Sequence, residues 1–87
     1  MYRVRIMPTA LRQLAQLPEK VRPALLEAIG GPILENPFRA GRPLRAELEG
    51  RFVARRGEYR IVYRVKEGTR TIEVTRIEHR RGVYRPR

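Results

Sequence analysis

The chain has 87 residues, enough for one small domain and too few for a second domain or an internal repeat. Cysteine is absent, which excludes disulfides and thiol chemistry, and there is neither a signal-peptide-like start nor an apolar run near the ~20 residues of a membrane span, so a cytoplasmic protein without membrane attachment is expected. The formal net charge is +11, with eight bases against five acids in residues 1–50 and twelve against four in residues 51–87, and a surplus this skewed points to a polyanionic partner.

"YRVRIM" (2–7) alternates strictly, with Tyr2, Val4 and Ile6 on one face and Arg3 and Arg5 on the other. That predicts a half-buried strand, ended by Pro8. Thr9 is the expected N-cap of a short amphipathic helix over 10–17, whose stripe is Ala10, Leu11, Leu14 and Leu17. A second helix is predicted over 19–29, with Pro23 tolerated in its first turn and Val21, Leu25, Ala28 and Ile29 as its stripe. Gly30-Gly31-Pro32 should break or kink it, with Ile33 and Leu34 resuming. Helices so closely joined form a hairpin. The Pro- and Gly-rich stretch 36–50 reads as a loop.

Three strands follow. "RFVARR" (51–56) turns at Gly57 into "EYRIVYRV" (58–65), where Tyr59, Ile61, Tyr63 and Val65 share one face and Arg60, Val62 and Arg64 the other. "KEGT" (66–69) is a hairpin turn into "RTIEVTRIEH" (70–79). Alternation slips in that last strand, since Ile77 is out of phase with Ile72 and Val74, and a bulge near Arg76 accounts for it. The expected architecture is α+β: an N-terminal strand and a helical hairpin packed on one face of a mainly antiparallel four-stranded sheet. The uncovered face would then present Arg55, Arg60 and Arg64. The only histidine, His79, leaves the last strand with Arg80, Arg81 and Tyr84 close behind.

These stretches together resemble the RelE/ParE superfamily of bacterial toxins, and the RelE branch more closely. The specific part is "GEYRIVYRV" followed by "HRRGVY"; with "ALRQLAQLPEKVRPAL" and "NPFRAGRPLRAELEGRFVARR" the resemblance covers nearly the whole chain. It implies a RelE-like fold and an endoribonuclease that cuts mRNA in the A site of the 70S ribosome without a metal. It further implies a RelB-like antitoxin as protein partner. Arg60 would contact the scissile phosphate, Arg80 the phosphate and leaving group, and Tyr84 would stack on a base or assist proton transfer. Arg55 matches the second of two lysines in well-known members, whereas Val53 stands in place of the first. His79 sits where many members carry a histidine or a lysine. Arg51, Arg56, Arg64 and Arg81 are the expected further RNA contacts.

The chemistry is consistent with the residues. Cleavage of RNA by its own 2′-OH needs a base, an acid and cations on the phosphorane. Arginine suits the third task and is a poor acid or base, because its pKa stays above ~12. His79 titrates near neutrality with a reference value of ~6.5; Tyr84 would need a lowered pKa, which dense positive charge favours. The plainer readings are a solvated strand residue for Arg60, ordinary tail charges for Arg80 and Arg81, a backbone-bonded strand end for His79, and a ring that pins the tail for Tyr84. Tyr59, Tyr63 and Phe52 read as core rather than as base-stacking platforms. Alternation across the turn leaves open whether Arg55 or Arg56 faces Arg60; the resemblance implies Arg55. One His, no Asp, no Cys and scattered Glu give no metal site and no cofactor is expected. Three other readings remain: a ParE-like poison of DNA gyrase, a non-catalytic basic RNA-binding module, and a weakly active toxin impaired by Val53.

Overall fold

Alternating hydrophobes and arginines set the first strand, β1 (Arg3–Ile6). The computed structural model describes residues 1–44, 50–79 and 81. Pro8 opens helix α1 (Pro8–Ala15) at its first position, where a missing N–H costs nothing, so the N-cap is Met7 and not Thr9. Helix α2 (Arg22–Ala28) likewise carries Pro23 in its first turn. Gly30-Gly31-Pro32 does not end it: residues Ile29–Ile33 widen into a π-turn and the helix resumes at Leu34. Pro32 cannot donate an i→i−4 bond, and the wider turn carries the chain past it.

The stretch read as a loop holds two short elements, α3 (Pro37–Ala40) and β2 (Arg42–Pro43). Strands β3 (Arg51–Arg56), β4 (Tyr59–Lys66) and β5 (Thr71–His79) complete the sheet. Its order is β1-β5-β4-β3-β2, with β1 parallel to β5 and every other pair antiparallel. The α+β architecture is as expected, with five strands instead of four because β2 adds a two-residue edge.

Both helices of the hairpin cover one sheet face. Ala10, Leu14 and Leu17 from the first, and Leu25, Ala28, Ile29 and Ile33 from the second, pack with Ile61, Tyr63, Ile72, Val74 and Ile77. The slip in β5 is a bulge: Val62 pairs Arg76 while Tyr63 pairs Val74, leaving Thr75 as the extra residue. Its Oγ1 donates to the Val62 carbonyl at 3.2 Å. The extra residue returns Ile77 to the core face.

β1 ends at Ile6, opposite Val74, so the outer edge of β5 beyond that point has no strand beside it. The buried Gln13 of α1 fills the gap, its Oε1 accepting the Ile77 N–H at 2.7 Å. We expect Gln13→Leu, similar in size but without the acceptor, to lower the unfolding free energy by about 1–3 kcal/mol in urea titration. Unchanged stability would show that this link does not matter.

Candidate active site

Residues directly opposite in an antiparallel ladder share a sheet face. Ile61 and Tyr63, both 0% exposed, face the helices, so Arg60, Val62 and Arg64 face away. The register carries that face across the sheet in rungs. Arg55 opposes Arg60, which opposes Glu78. Arg42 opposes Val53, which opposes Val62 and then Arg76. Arg51 opposes Arg64, then Glu73, then Arg5.

Arg60 is held from one side: its Nη2 lies 3.2 Å from Glu78 Oε1, and Arg76 Nη2 lies 3.2 Å from Glu78 Oε2. One carboxylate thus bridges two guanidinium groups. The Arg60 Nε–H is buried and has no hydrogen-bond partner among the described residues. A concavity of about 300 Å³ adjoins it, lined by Gly41, Arg42, Val53, Arg55 and Arg60. Gly41 is required there by close approach, because a Cβ would lie 2.5 Å from the Tyr63 hydroxyl and 2.9 Å from the Val53 carbonyl. That hydroxyl donates to the Pro37 carbonyl at 2.6 Å, and burial pushes its pKa up to about 12. The arginines Arg42, Arg55 and Arg60 make the lining of the concavity cationic.

Of the residues singled out in the sequence, Arg55 and Arg60 come together, with Arg51 and Arg64 four residues further along their strands on the same face. Arg56 does not join them. It opposes Tyr59 on the helix-covered face and donates to Glu27 of α2 at 2.6 Å. The choice between Arg55 and Arg56 is thus Arg55. His79 also falls on the other face, opposite Tyr59, whose ring it meets edge-on with centroids 5.3 Å apart. Its Nδ1 accepts the Arg81 backbone N–H at 3.1 Å, so that nitrogen carries no proton, and its Nε2 sits 3.6 Å from Glu58 Oε1. The reason is parity: Glu78 is in phase with Arg60, so the next residue cannot be. Arg81 is exposed just beyond β5. Arg80 and Tyr84 lie outside the described residues. Phe52 stacks on buried Tyr63 with centroids 5.8 Å apart, in keeping with a core role for both.

Two members of the face were not singled out in the sequence. Arg42 sits on a two-residue strand, too short for any alternation to announce. Glu78 was legible, because Arg76 and Glu78 alternate in phase beyond the bulge. Among the described residues no three His, Asp or Glu side chains gather as metal ligands.

Comparison with known proteins adds the following. The family described as "ParE toxin of type II toxin-antitoxin system, parDE" matches residues 4–84. The chain is 48% identical over 84 residues to Toxin RelE of Mycobacterium tuberculosis, covering 97% of this chain and 87% of that protein. It is 43% identical to Toxin RelG of the same organism, covering 97% of each. Among solved structures, the toxin–antitoxin complex RelBE2 of M. tuberculosis contains a chain that superposes with a TM-score of 0.86 at 43% identity, covering 91% of this chain and 98% of that one.

The face also sets a pH dependence. Glu73 is buried, and Arg64 Nε donates to its Oε1 at 2.6 Å. That hydrogen bond holds the Glu73 carboxyl below its usual value of 4.5; burial opposes the effect, and the charges of Arg64, Lys66 and Arg5 add to it. A carboxyl depressed on folding contributes stability that is present above 4.5 and is lost as pH falls through the lower, folded-state value. We expect Glu73→Gln to be destabilised by about 1–3 kcal/mol at neutral pH, with the gap to the wild type closing as the pH of the denaturation series drops. A gap constant with pH would contradict the ion pair's role.

Proposed function

The chain belongs to the RelE/ParE superfamily, the toxins of type II toxin–antitoxin systems, and we propose that it is an endoribonuclease that cuts mRNA in the ribosomal A site by attack of the ribose 2′-OH on the adjacent phosphate. The observation that carries this reading is the Arg55–Arg60 pair beside a concavity, with a buried Arg60 donor that lacks an acceptor among the described residues. A donor left so costs about 1–3 kcal/mol, which a phosphate oxygen would offset. The reading is also supported by close similarity to proteins named RelE and RelG.

In the proposed reaction the 2′-oxygen bonds to phosphorus as the bond to the 5′-oxygen breaks. The products are a cyclic phosphate and a 5′-OH. Negative charge grows on the non-bridging oxygens, and Arg60 meets it, steadied by Glu78. Arg55, exposed beside it, adds a second cation. Arg80 attends the leaving group and Tyr84 stacks on a base or moves a proton, as the resemblance implies. His79 takes part by fixing the start of the C-terminal segment through Arg81, since its Nδ1 is already engaged. No metal is needed in this scheme. A site poor in conventional bases depends on the ribosome to hold the RNA in line for attack. The partner that silences it is a RelB-like antitoxin, in line with the RelBE2 complex, and acidic side chains would complement the arginine face.

A second reading draws on the family described by parDE, matched over residues 4–84: a toxin that poisons DNA gyrase and leaves RNA intact. One experiment separates the two. The chain is induced without antitoxin and mRNA 5′ ends are mapped by primer extension. Cuts inside translated codons, lowered about 10²–10³-fold by Arg60→Ala, are expected. Intact mRNA with gyrase-linked DNA breaks would establish the second reading instead.

A further inference from the structure

The sheet face that holds Arg60 extends well beyond it. Along β4 the positions Arg60, Val62, Arg64 and Lys66 step across that face two residues at a time. At ~3.3 Å per residue, Lys66 stands ~20 Å from Arg60. The far rung is Arg3 opposite Thr71 opposite Lys66, and Arg5 lies one rung nearer, beside Glu73. All three cations are exposed, and none makes a side-chain hydrogen bond or ion pair among the described residues. Glu73, which opposes Arg5, is committed to Arg64. A second concavity, of about 430 Å³, opens here, lined by Arg3, Arg5, Lys66, Thr69, Thr71 and Glu73.

Three cations around a concavity whose one carboxylate, Glu73, is already hydrogen-bonded to Arg64 form an anion site. Its placement says which anion. It lies on the same face as the Arg60 concavity, at the opposite end of one strand, and the rungs between carry Arg64, Arg51, Arg76 and Arg42. An extended polymer bearing one negative charge per unit fits this line of cations. A single small anion would use only one end.

We propose that Arg3, Arg5 and Lys66 form a distal phosphate-binding subsite for single-stranded RNA, which holds the backbone of the strand a few nucleotides from the bond at Arg60. The inference rests on the endoribonuclease reading and adds to it: the substrate is gripped at two places, and the sheet face between them is the track. The two grips have different tasks. The Arg60 end, with its buried donor and bridging carboxylate, is rigid and suited to a reacting phosphate. The Arg3–Arg5–Lys66 end is open and exposed and adds affinity without geometry.

The test is binding of the full chain to an end-labelled single-stranded RNA of about eight nucleotides, fully 2′-O-methylated so that it cannot be cut. Anisotropy is read across a potassium chloride series for the wild type and for Arg3→Gln/Arg5→Gln/Lys66→Gln. The triple variant is expected to bind several-fold more weakly, with a slope of log affinity against log salt shallower by about 2, since each phosphate contact on a single strand contributes ~0.7. Arg3→Lys/Arg5→Lys, which keeps the charges, is expected to retain the slope, and a dinucleotide is expected to bind wild type and triple variant alike. Equal octamer affinity and slope in wild type and triple variant, with binding still weakened by Arg60→Ala, would overturn the distal subsite and leave the endoribonuclease reading standing. Weaker antitoxin binding with unchanged RNA binding would mark the cluster as a protein interface and overturn it equally. A wild type that does not bind the octamer at all would overturn the distal subsite and leave the ribosome-dependent endoribonuclease reading to the primer-extension experiment.

Discussion

The period-two alternation of β4 is the constraint on which the rest of this molecule depends. Ile61 and Tyr63 are wholly buried against the helical hairpin, so the register of the central strand is fixed by the core. A slip of one residue would send Arg60 and Arg64 into the core and Tyr63 into water. The hydrophobic effect thereby places the cations. It puts Arg60 opposite Arg55 on one side and Glu78 on the other, and it puts Arg64 beside Glu73. The Tyr63 hydroxyl extends the same logic to the neighbouring loop, bonding Pro37 and demanding glycine at position 41.

Crowding arginines on one face is unfavourable by itself, because like charges repel across adjacent strands. The fold relieves this sparingly. Two carboxylates, Glu73 and Glu78, are set into the face, and each is engaged by arginine. Their spacing leaves positive ends at Arg42 and Arg55 and at Arg3, Arg5 and Lys66. Such a surface is stabilised by an anionic occupant, whether nucleic acid or the acidic segment of a partner. Nucleic acid and an acidic partner segment would then compete for one surface.

Much of this was legible in the sequence. Strict alternation in β1 and β4 gave the faces, the mistimed Ile77 gave the bulge, and the spacing of Arg60 and Arg64 gave the exposed cations. The failures have physical causes. The π-turn at Ile29–Ile33 hides in a Gly-Gly-Pro signature that ordinarily ends a helix. Strand β2 has two residues and no period, so Arg42 had no signal. His79 was drawn to the site by its chemistry and its neighbours in sequence, yet parity with Glu78 puts it on the far face with Tyr59. Proximity along a strand misleads where the pleat alternates. Arg80 and Tyr84 rest on the family resemblance.

The account turns on the 2′-OH as nucleophile, with arginines as its electrostatic support. The most direct measurement programs ribosomes with an mRNA carrying a single 2′-deoxy sugar on the 5′ side of the bond that is cut in the all-ribose message, and adds the toxin. The account predicts that the all-ribose message yields a 2′,3′-cyclic phosphate and a 5′-OH, and that the deoxy message is not cut at that bond. Cleavage of the deoxy message at the same bond would contradict it.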